Sequence, residues 1–429
     1  MNPTPDRQSN PADSVACSST ESSHDTGSGS RDGLARFSAV SGPLRLHAGD
    51  NALAMLPREA DRLGARRAFV VCGRSVATRT PLFDRIRRLL GSRYAGAYQE
   101  LRKDAPLADV VAAVAEARAM DADLLIAVGA GSVLKAVRVI AMAMGENRPL
   151  EDLATRYPDE GPPVSPKLMQ PKPPIFNVLT AATSAQNRGG SALRREDGGA
   201  RLEFFDPKTR PTAIFWDSAA LLTAPPSLAF STGLGVYWRA LMNRGAVCQA
   251  NPLVQADRLH AYTLACGALP RMHDEADARA RLDMCAAALL QNRDEDDGGR
   301  PMDAHWIARA VYALGAALFN RVPALDQGTT HALLTAPAIR HFGDLCLDAV
   351  SQIGMAMGLP PTDAAEPLAV SSAIEKMFDS MGLPRRLEGV AQSAYESILS
   401  DTLYNFNADR TRELGMHRKR LAAMLSEAA

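Results

Sequence analysis

The residues best suited to bind a charged ligand form a glycine-rich turn at Gly129-Ala130-Gly131-Ser132. An apolar run over 124–128 precedes the turn, and an amphipathic helical pattern begins directly after it. A buried strand that leads through such a turn into a helix points unpaired backbone N–H groups and the positive helix end outward. Glycine lets a phosphate approach the backbone, and the Ser132 hydroxyl can cap the helix or contact an oxygen. The turn therefore favours a phosphate or pyrophosphate, although a plain strand-to-helix connection has the same pattern.

Strands and helices alternate on both sides of this turn, from Phe37 to Asp217. Such alternation predicts an α/β dinucleotide-binding domain with a Rossmann-like parallel sheet and helices on both faces. A hairpin is predicted over 194–205, turning at 196–199, because a Glu-Asp-Gly-Gly sequence lies there. The predicted strands span 44–47, 68–72, 94–101, 124–128, 175–180 and 213–216, and the helices between them include 52–63, 80–90 and 107–120.

The strand patterns end at Pro225, and alanine- and leucine-rich helical patterns follow. We therefore predict an α/β domain over 36–222, an all-helical substrate domain over 223–429 and a ligand cleft between them. Residues 1–35 are predicted to form a disordered tail, because they contain few large apolar side chains. The predicted helices of the second domain span 226–243, 252–268, 275–292, 303–319, 329–356, 363–381, 386–403 and 408–427.

The composition excludes several classes of function. Lysine plus arginine equals aspartate plus glutamate, 48 each, so the chain has no basic field for nucleic acid or an anionic membrane. Six cysteines without a CxxC pair indicate reduced thiols and no zinc site. No apolar run reaches the roughly 18–20 residues that span a bilayer. The chain is expected to be soluble and cytoplasmic.

The order of motifs over 43–429 resembles the iron-containing alcohol dehydrogenase superfamily, which includes maleylacetate reductases. GAGSVLKAVRVIA at 129–141 is similar to the family's GGGSxxDxxKxxA, and NVLTAATSAQN at 177–187 lies where the family has VPTTAGTGSE. The segment 201–235 follows the family's K-(x)4-DP-(x)3-P…D…P…TGxD pattern without a gap. The resemblance implies a dehydroquinate synthase-like architecture, an NAD(P)-dependent reaction between a small alcohol and its carbonyl compound, and a homodimer paired through the first domain.

The resemblance also implies which residues contact the cofactor. Gly131 and Ser132, with Gly129 before them, would hold the dinucleotide pyrophosphate. Thr180 and Ser184 would line the cofactor cleft. Arg201 falls where the family has a cofactor-contacting lysine.

The residues after the second strand bear on the choice of cofactor. NAD-using members of the family have an acidic residue at the position of Gly73, where it bonds the adenosine ribose. Glycine removes that charge, and Arg74 with Ser75 could accept a 2′-phosphate. NADP(H) is therefore favoured and NAD(H) stays possible, since Arg74 could equally be a solvated arginine after a strand.

The chain departs from the family at the metal site. The family motif TGxDAxxHxxE supplies an aspartate and a histidine, and these positions hold Gly235 and Arg239 here. The positions of two further family histidines fall at Ala308, with its neighbour one turn later at Tyr312, and near Gln327. Iron or zinc needs three or four anionic or imidazole donors. We therefore predict no bound metal.

Three residues are candidates for chemistry without a metal. Arg239 could polarise a substrate oxygen or hold a carboxylate, Tyr312 could donate a proton, and His331 could relay one. Each also has a structural interpretation: a salt-bridged helix arginine, a core aromatic and a hydrogen-bonded helix histidine. The favoured function is a metal-independent oxidoreductase. The alternatives are a non-catalytic nucleotide- or partner-binding relative, and a lyase or cyclase of the same fold, which would need a metal.

Overall fold

The centre of the protein is a six-stranded parallel sheet. The computed structural model describes residues 37–40, 42–197, 201–293 and 301–429. Its strands are β1 Arg45–Gly49, β2 Ala68–Cys72, β3 Tyr94–Tyr98, β4 Leu124–Gly129, β5 Ile175–Leu179, β6 Gly190–Leu193, β7 Leu202–Phe205 and β8 Ala213–Asp217. The strand order in the main sheet is β1-β8-β5-β4-β2-β3, and β6 pairs with β7 in a separate antiparallel hairpin.

The central strands are buried on both faces, as their continuous apolar sequences require. Successive side chains alternate between two apolar cores: Phe69 and Val71 pack into one, and Val70 and Cys72 into the other. Helices cover both faces, which confirms the predicted α/β class. They are α1 Leu56–Arg62, α2 Arg74–Arg79, α3 Leu82–Leu90, α4 Leu107–Ala119, α5 Gly131–Glu146, α6 Leu150–Leu153 and α7 Ser218–Leu221.

The second half of the chain is helical, as predicted. Its described helices are α8 Pro226–Arg244, α9 Pro252–Ala268, α10 Ala278–Leu290, α11 Trp306–Arg321, α12 Gln327–Phe342, α13 Leu347–Ala356, α14 Pro361–Ala364, α15 Pro367–Ser380, α16 Tyr395–Thr402 and α17 Arg418–Ala428. Residues 39–429 cluster as one unit by their contacts, so the predicted boundary at 222 falls inside that unit. The predicted tail at 1–35 lies outside the described residues.

Several predicted helix bounds are wrong. The helix predicted over 329–356 is two helices: α12 ends at Phe342, a 3-10 turn spans Gly343–Leu345, and Cys346 leaves the helical conformation, with φ −154° and ψ 55°, before α13 begins. The helix predicted over 386–403 begins only at Tyr395, since Gly389 has a left-handed φ of 77°. The helix predicted over 408–427 becomes α-helical only at Arg418.

The hairpin is also displaced from its predicted position. Its first strand is β6, which ends before Arg194, and β6 pairs with β7 from Gly190↔Phe205 to Leu193↔Leu202. The Ser191 hydroxyl fixes β6 to α5: it donates to the Lys135 carbonyl and accepts from Arg138 Nε, both at 2.9 Å. Part of the predicted turn, 198–200, lies outside the described residues. Within the described part of the chain, no helix is long and apolar enough to cross a membrane.

Candidate functional site

The glycine turn lies at the carboxyl end of β4, in the middle of the sheet. Thr180 N–H donates to the Gly129 carbonyl at 3.1 Å and so joins the ends of β4 and β5. A Cβ on Gly129 would lie 2.7 Å from Val133 Cγ2, and one on Gly131 would lie 3.3 Å from Thr183 Oγ1. A side chain at Gly129, where φ is 157°, would therefore be strained, and at Gly131 it would require Thr183 to shift. Ligands of open α/β sheets bind at this edge of the sheet.

Two adjoining cavities open from this turn, of about 340 and about 170 Å³, and together we call them the cleft. The larger cavity runs below α8, along Ser231, Thr232 and Gly235. The smaller cavity runs between the β6–β7 hairpin, α11 and the residues that follow α16. The residues that line both cavities are Gly131, Lys135, Thr183, Ser184, Phe319 and Gln327.

The structure brings most of the predicted pyrophosphate and cleft residues together. Gly131 and Ser184 line both cavities, and Ser132 lines the larger one. The Ser132 hydroxyl accepts the Asp104 N–H at 3.0 Å, which joins the turn to the segment after β3. Gly129 and Thr180 shape the turn, but neither lines a cavity.

Arg201 lines the smaller cavity, as its family position implies. Its guanidinium lies 4.8 Å above the Phe319 ring, donates to Asn320 Oδ1 at 3.1 Å and pairs with Asp104 at 3.3 Å. Burial lowers the pKa of Arg201, and the Asp104 carboxylate opposes this effect. The Arg201 side chain is thus held in place before any ligand binds.

Gly73, Arg74 and Ser75 follow β2, the neighbour of β4 in the sheet. A Cβ on Gly73 would lie 2.9 Å from the Leu101 carbonyl oxygen. Lack of space for a side chain is therefore a second reason for glycine at this position. Arg74 and Ser75 are exposed. Arg74 Nε donates to Glu100 Oε2 at 2.8 Å, and this hydrogen bond raises the pKa of Arg74.

Lys135 is a cleft residue that was not predicted from the sequence. It lies on α5 and lines both cavities, and its Nζ has no hydrogen bond or ion pair with any described residue. Burial, followed by the charge of Arg201, lowers the pKa of Lys135 to about 8. The motif contained the signal, because the family's GGGSxxDxxKxxA has an aspartate where this chain has Lys135.

The structure corrects the expectation that Arg239 reaches the substrate. Its side chain is buried, and the guanidinium donates to Asn292 Oδ1 at 2.5 Å and to the Gln291 carbonyl at 2.9 Å. These acceptors lie just after α10, and Arg239 lines neither cavity of the cleft. In this arrangement Arg239 joins α8 to the end of α10.

Tyr312 and His331 are neighbours, with ring centroids 5.6 Å apart, but only Tyr312 lines the cleft. His331 is fully buried between Trp238, at 4.2 Å, and Phe319, at 6.0 Å. Neither ring nitrogen has a hydrogen-bond partner among the described residues. Burial lowers the pKa of His331 to about 3. The prediction that His331 relays a proton is therefore corrected, because an imidazole kept neutral behind Tyr312 cannot take up a proton near neutral pH. The alternative prediction, that His331 is a hydrogen-bonded helix histidine, is not observed among the described residues either.

The residues at the family's metal positions do not fit a divalent ion. A Cβ on Gly235 would lie 3.6 Å from Gly328 Cα, and Gln327 lies beside it on the cleft wall. A glycine, an amide, the phenol of Tyr312 and the Ala308 methyl group supply no carboxylate, thiolate or imidazole. No group of three His, Cys, Asp or Glu side chains suited to a metal occurs in the part of the chain that the structure describes.

Comparison with known proteins agrees with this architecture. The family model described as "Iron-containing alcohol dehydrogenase" matches residues 43–218. Maleylacetate reductase 2 of Cupriavidus pinatubonensis is 28% identical over 71% of this chain and 80% of its own length. Alcohol dehydrogenase from Oenococcus oeni superposes with a TM-score of 0.77 at 18% identity, over 92% of this chain and all of that one. Sulfoacetaldehyde reductase from Bifidobacterium kashiwanohense, solved in complex with NAD+, superposes with a TM-score of 0.72 at 16% identity. The superposition covers 92% of this chain and 99% of that one.

The solved structures share the parallel sheet and the helical second half over nearly the whole described length. The family model covers the α/β part, which contains the glycine turn, and the reductase of Cupriavidus pinatubonensis extends the similarity into the helices. Residues 43–218 therefore match the iron-containing alcohol dehydrogenase family, and the chain as a whole is similar to its members.

Proposed function

We propose that this protein is an NAD(P)-dependent oxidoreductase that interconverts a small alcohol and its carbonyl compound in the cleft. Its relatives are oxidoreductases of the alcohol dehydrogenase type. The observation that carries the proposal is the tight glycine turn at the end of β4, which opens directly into the cleft. The related sulfoacetaldehyde reductase structure contains NAD+, which supports a nicotinamide dinucleotide as the ligand.

The residues of the turn suit the pyrophosphate of such a dinucleotide. The first turn of α5 lines the larger cavity, and a helix of this length has its positive end there. Ser132 offers a hydroxyl, and Gly131 leaves the space that close approach of a phosphate requires. A bound nicotinamide would supply or accept the hydride. The smaller cavity, lined by Lys135, Arg201 and Tyr312, is then the space for the alcohol or carbonyl group.

We further propose that the reaction does not use a metal. The support is the chemistry of the donor positions, since Gly235 and Ala308 carry no donor and Arg239 is cationic. In metal-using relatives the ion polarises the carbonyl oxygen, and here cations of the cleft would do so.

A preference for NADP(H) is part of the proposal. Arg74 is exposed at the carboxyl end of β2, where a 2′-phosphate could replace Glu100 as the partner of the guanidinium. The Arg74–Glu100 pair also weakens the preference for NADP(H), because Glu100 competes with a 2′-phosphate for Arg74. The Glu100 carboxylate could itself accept a hydrogen bond from a ribose hydroxyl. NAD(H) is therefore the second cofactor to test.

The experiment measures cofactor binding by NADPH and NADH fluorescence, and then turnover with butyraldehyde, succinic semialdehyde and glyoxylate. NADPH is expected to bind more tightly than NADH. Arg74→Ala should weaken NADPH binding about tenfold, the loss of one charge-assisted contact, and leave NADH binding unchanged. Glu100→Gln should shift selectivity further toward NADPH. Equal effects of Arg74→Ala on both cofactors would refute the 2′-phosphate assignment.

Metal independence has its own measurement. Protein purified with a chelator should contain less than stoichiometric iron and zinc by elemental analysis and should keep its full turnover rate. Restoration of activity by added Fe²⁺ or Zn²⁺ would contradict the proposal. Tight NADPH binding without turnover on any carbonyl would instead favour a non-catalytic nucleotide-binding relative, the alternative that the loss of metal donors supports.

A further inference from the structure

One cation in the cleft has no partner. Lys135 Nζ makes no hydrogen bond or ion pair with a described residue, although its half-buried side chain lines both cavities. The other cations of the smaller cavity are engaged. Arg201 pairs with Asp104, Arg138 donates to Ser191 and to the Ala185 carbonyl, and Arg188 also has a partner. A cation that lines a cavity and has no protein partner is available to a ligand.

The position of Lys135 relates it to the proposed cofactor. Lys135 lies one turn of α5 beyond Gly131, so it faces the cleft just past the pyrophosphate turn. Tyr312 and Gln327 line the smaller cavity with it, from the helical half. Lys135 therefore adds a positive charge to the cavity whose helical wall contains Tyr312 and Gln327.

We propose that Lys135 is the catalytic acid of this enzyme, donating the proton to the carbonyl oxygen during reduction. The inference rests on the proposed oxidoreductase function and names the residue that replaces the metal in it. A bound reduced nicotinamide supplies the hydride that forms the new C–H bond. The π pair of the C=O group then takes a proton from Lys135 Nζ to form the O–H bond, leaving a neutral amine. Water reprotonates the amine, and in the alcohol oxidation the neutral amine accepts the hydroxyl proton.

The charges around Lys135 suit this role. Burial and the positive charges that face it lower its pKa to about 8, so both protonation states are populated near neutral pH. Asp104 opposes the effect. The charged and titratable groups that face Lys135 or line the smaller cavity with it are Asp104, Arg138, Arg188, Arg201, Glu203, Tyr312, Asp401 and Tyr404.

Three variants test the role: Lys135→Met, Lys135→Arg and, as a matched control on an exposed helix surface, Lys419→Met. We expect Lys135→Met to lower kcat for carbonyl reduction by about 10²–10⁴-fold, the usual contribution of a general acid. Its Kd for NADPH should stay within about threefold, because the proposed role begins after cofactor binding. Lys135→Arg should keep cofactor binding but lose most of the rate, since a guanidinium does not release its proton near neutral pH.

The pH dependence gives a second readout. In the wild type, kcat for reduction should fall as pH rises through about 8, because the ammonium form is lost, and kcat for oxidation should rise over the same range. In the Lys135→Arg variant, neither the fall of kcat for reduction nor the rise of kcat for oxidation near pH 8 should occur. A third readout needs no cofactor: the rate of Lys135 acetylation against pH, followed by mass spectrometry, should titrate near 8.

The outcomes separate this proposal from the proposed function. A wild type that binds NADPH but reduces no carbonyl would overturn both. An active wild type whose Lys135→Met variant has normal kcat and weakened NADPH binding would keep the oxidoreductase and make Lys135 a phosphate anchor. An active Lys135→Met enzyme with normal binding, or a Lys135 that titrates near 10.4, would overturn the role of Lys135 alone.

Discussion

Arg239 and Lys135 are both cations at positions where the family motif has a different side chain, and hydrogen bonding separates their roles. Arg239 is buried and donates to the chain after α10, whereas Lys135 faces the cleft without a partner. A guanidinium that already has acceptors contributes to packing, and an ammonium without them is available to a ligand. The difference decides which of the two can replace a metal.

A structural role for Arg239 predicts a loss of stability in its variants. Arg239→Met should lower the free energy of unfolding by about 1–3 kcal/mol, because it leaves the Gln291 carbonyl and Asn292 amide without their donor. Urea unfolding measures this change, and Arg279→Met on the exposed face of α10 serves as the control, with less than about 0.5 kcal/mol. A variant with unchanged stability that has lost its turnover would contradict the structural role and would favour contact between Arg239 and the substrate.

The sequence allowed the glycine turn to be predicted, because the turn is local: strand, glycines and helix are contiguous. The direction of the Arg239 side chain was not predictable in the same way, since its acceptors lie more than fifty residues further along the chain. Lys135 was overlooked although its motif was recognised. This chain keeps the glycines of the family motif, from which the turn was predicted, but it has Lys135 in place of the family's aspartate.

At the scale of elements, Asp217 holds several segments of the α/β part together. It ends β8, and its carboxylate caps α7 by accepting Ala220 N–H at 3.2 Å. It also accepts Leu53 N–H at 3.0 Å and both terminal nitrogens of Arg85, at 2.8 and 3.0 Å. Burial tends to raise the pKa of Asp217, but these hydrogen bonds outweigh it and hold the pKa below its usual value.

We expect Asp217→Asn to lower the free energy of unfolding by about 2–4 kcal/mol at pH 7, since it removes the partner of a part-buried arginine. The folded-state pKa is depressed, so the carboxylate stabilises the fold above the unfolded-state pKa of 3.8 and loses this effect as pH falls below it. The gap between wild type and variant, from urea unfolding, should therefore be full at pH 7 and narrow below pH 3.8. Asp84→Asn on the exposed face of α3 is the control; a gap independent of pH would contradict the assignment.

Element types followed from the sequence more reliably than element ends. The central strands were predictable because full burial makes them continuous apolar runs, as in Ala68–Cys72. The helix ends at Gly343 and Tyr395 were not, because alanine- and leucine-rich segments keep a helical period through the turn. After the first of these helices, Phe342 and Cys346 leave the helical conformation, and the Gly343 backbone lies close to Pro367, a contact that no local pattern reveals.

At the scale of the molecule, two buried histidines link stability to pH. His305 Nε2 lies 2.9 Å from the Met242 carbonyl and Nδ1 accepts Ala308 N–H, which only the neutral ring can do. Burial lowers the pKa of His305 to about 4 and that of His331 to about 3. Both rings are therefore neutral in the folded protein under conditions where the unfolded chain would protonate them.

Stability is expected to fall as pH decreases from about 6.5 toward 4, because the unfolded state binds more protons than the native state in that window. Each histidine contributes about 1.4 kcal/mol per pH unit. Urea unfolding at pH 7, 6 and 5 measures the slope; His331→Leu should reduce it by about half, and His260→Gln, on an exposed position, should not alter it. A flat profile in the wild type would mean that the buried rings become hydrated.

The pairing of β1 with β8 has a consequence for biosynthesis. Arg45 lies beside Ala213, so β1, the first strand of this sheet to be synthesised, pairs only after β8, the last strand of the sheet, has been made. Until then the backbone amides and carbonyls of β1 lack this partner strand. A polypeptide arrested between the two strands would leave β1 unpaired, and an unpaired strand favours association with other chains.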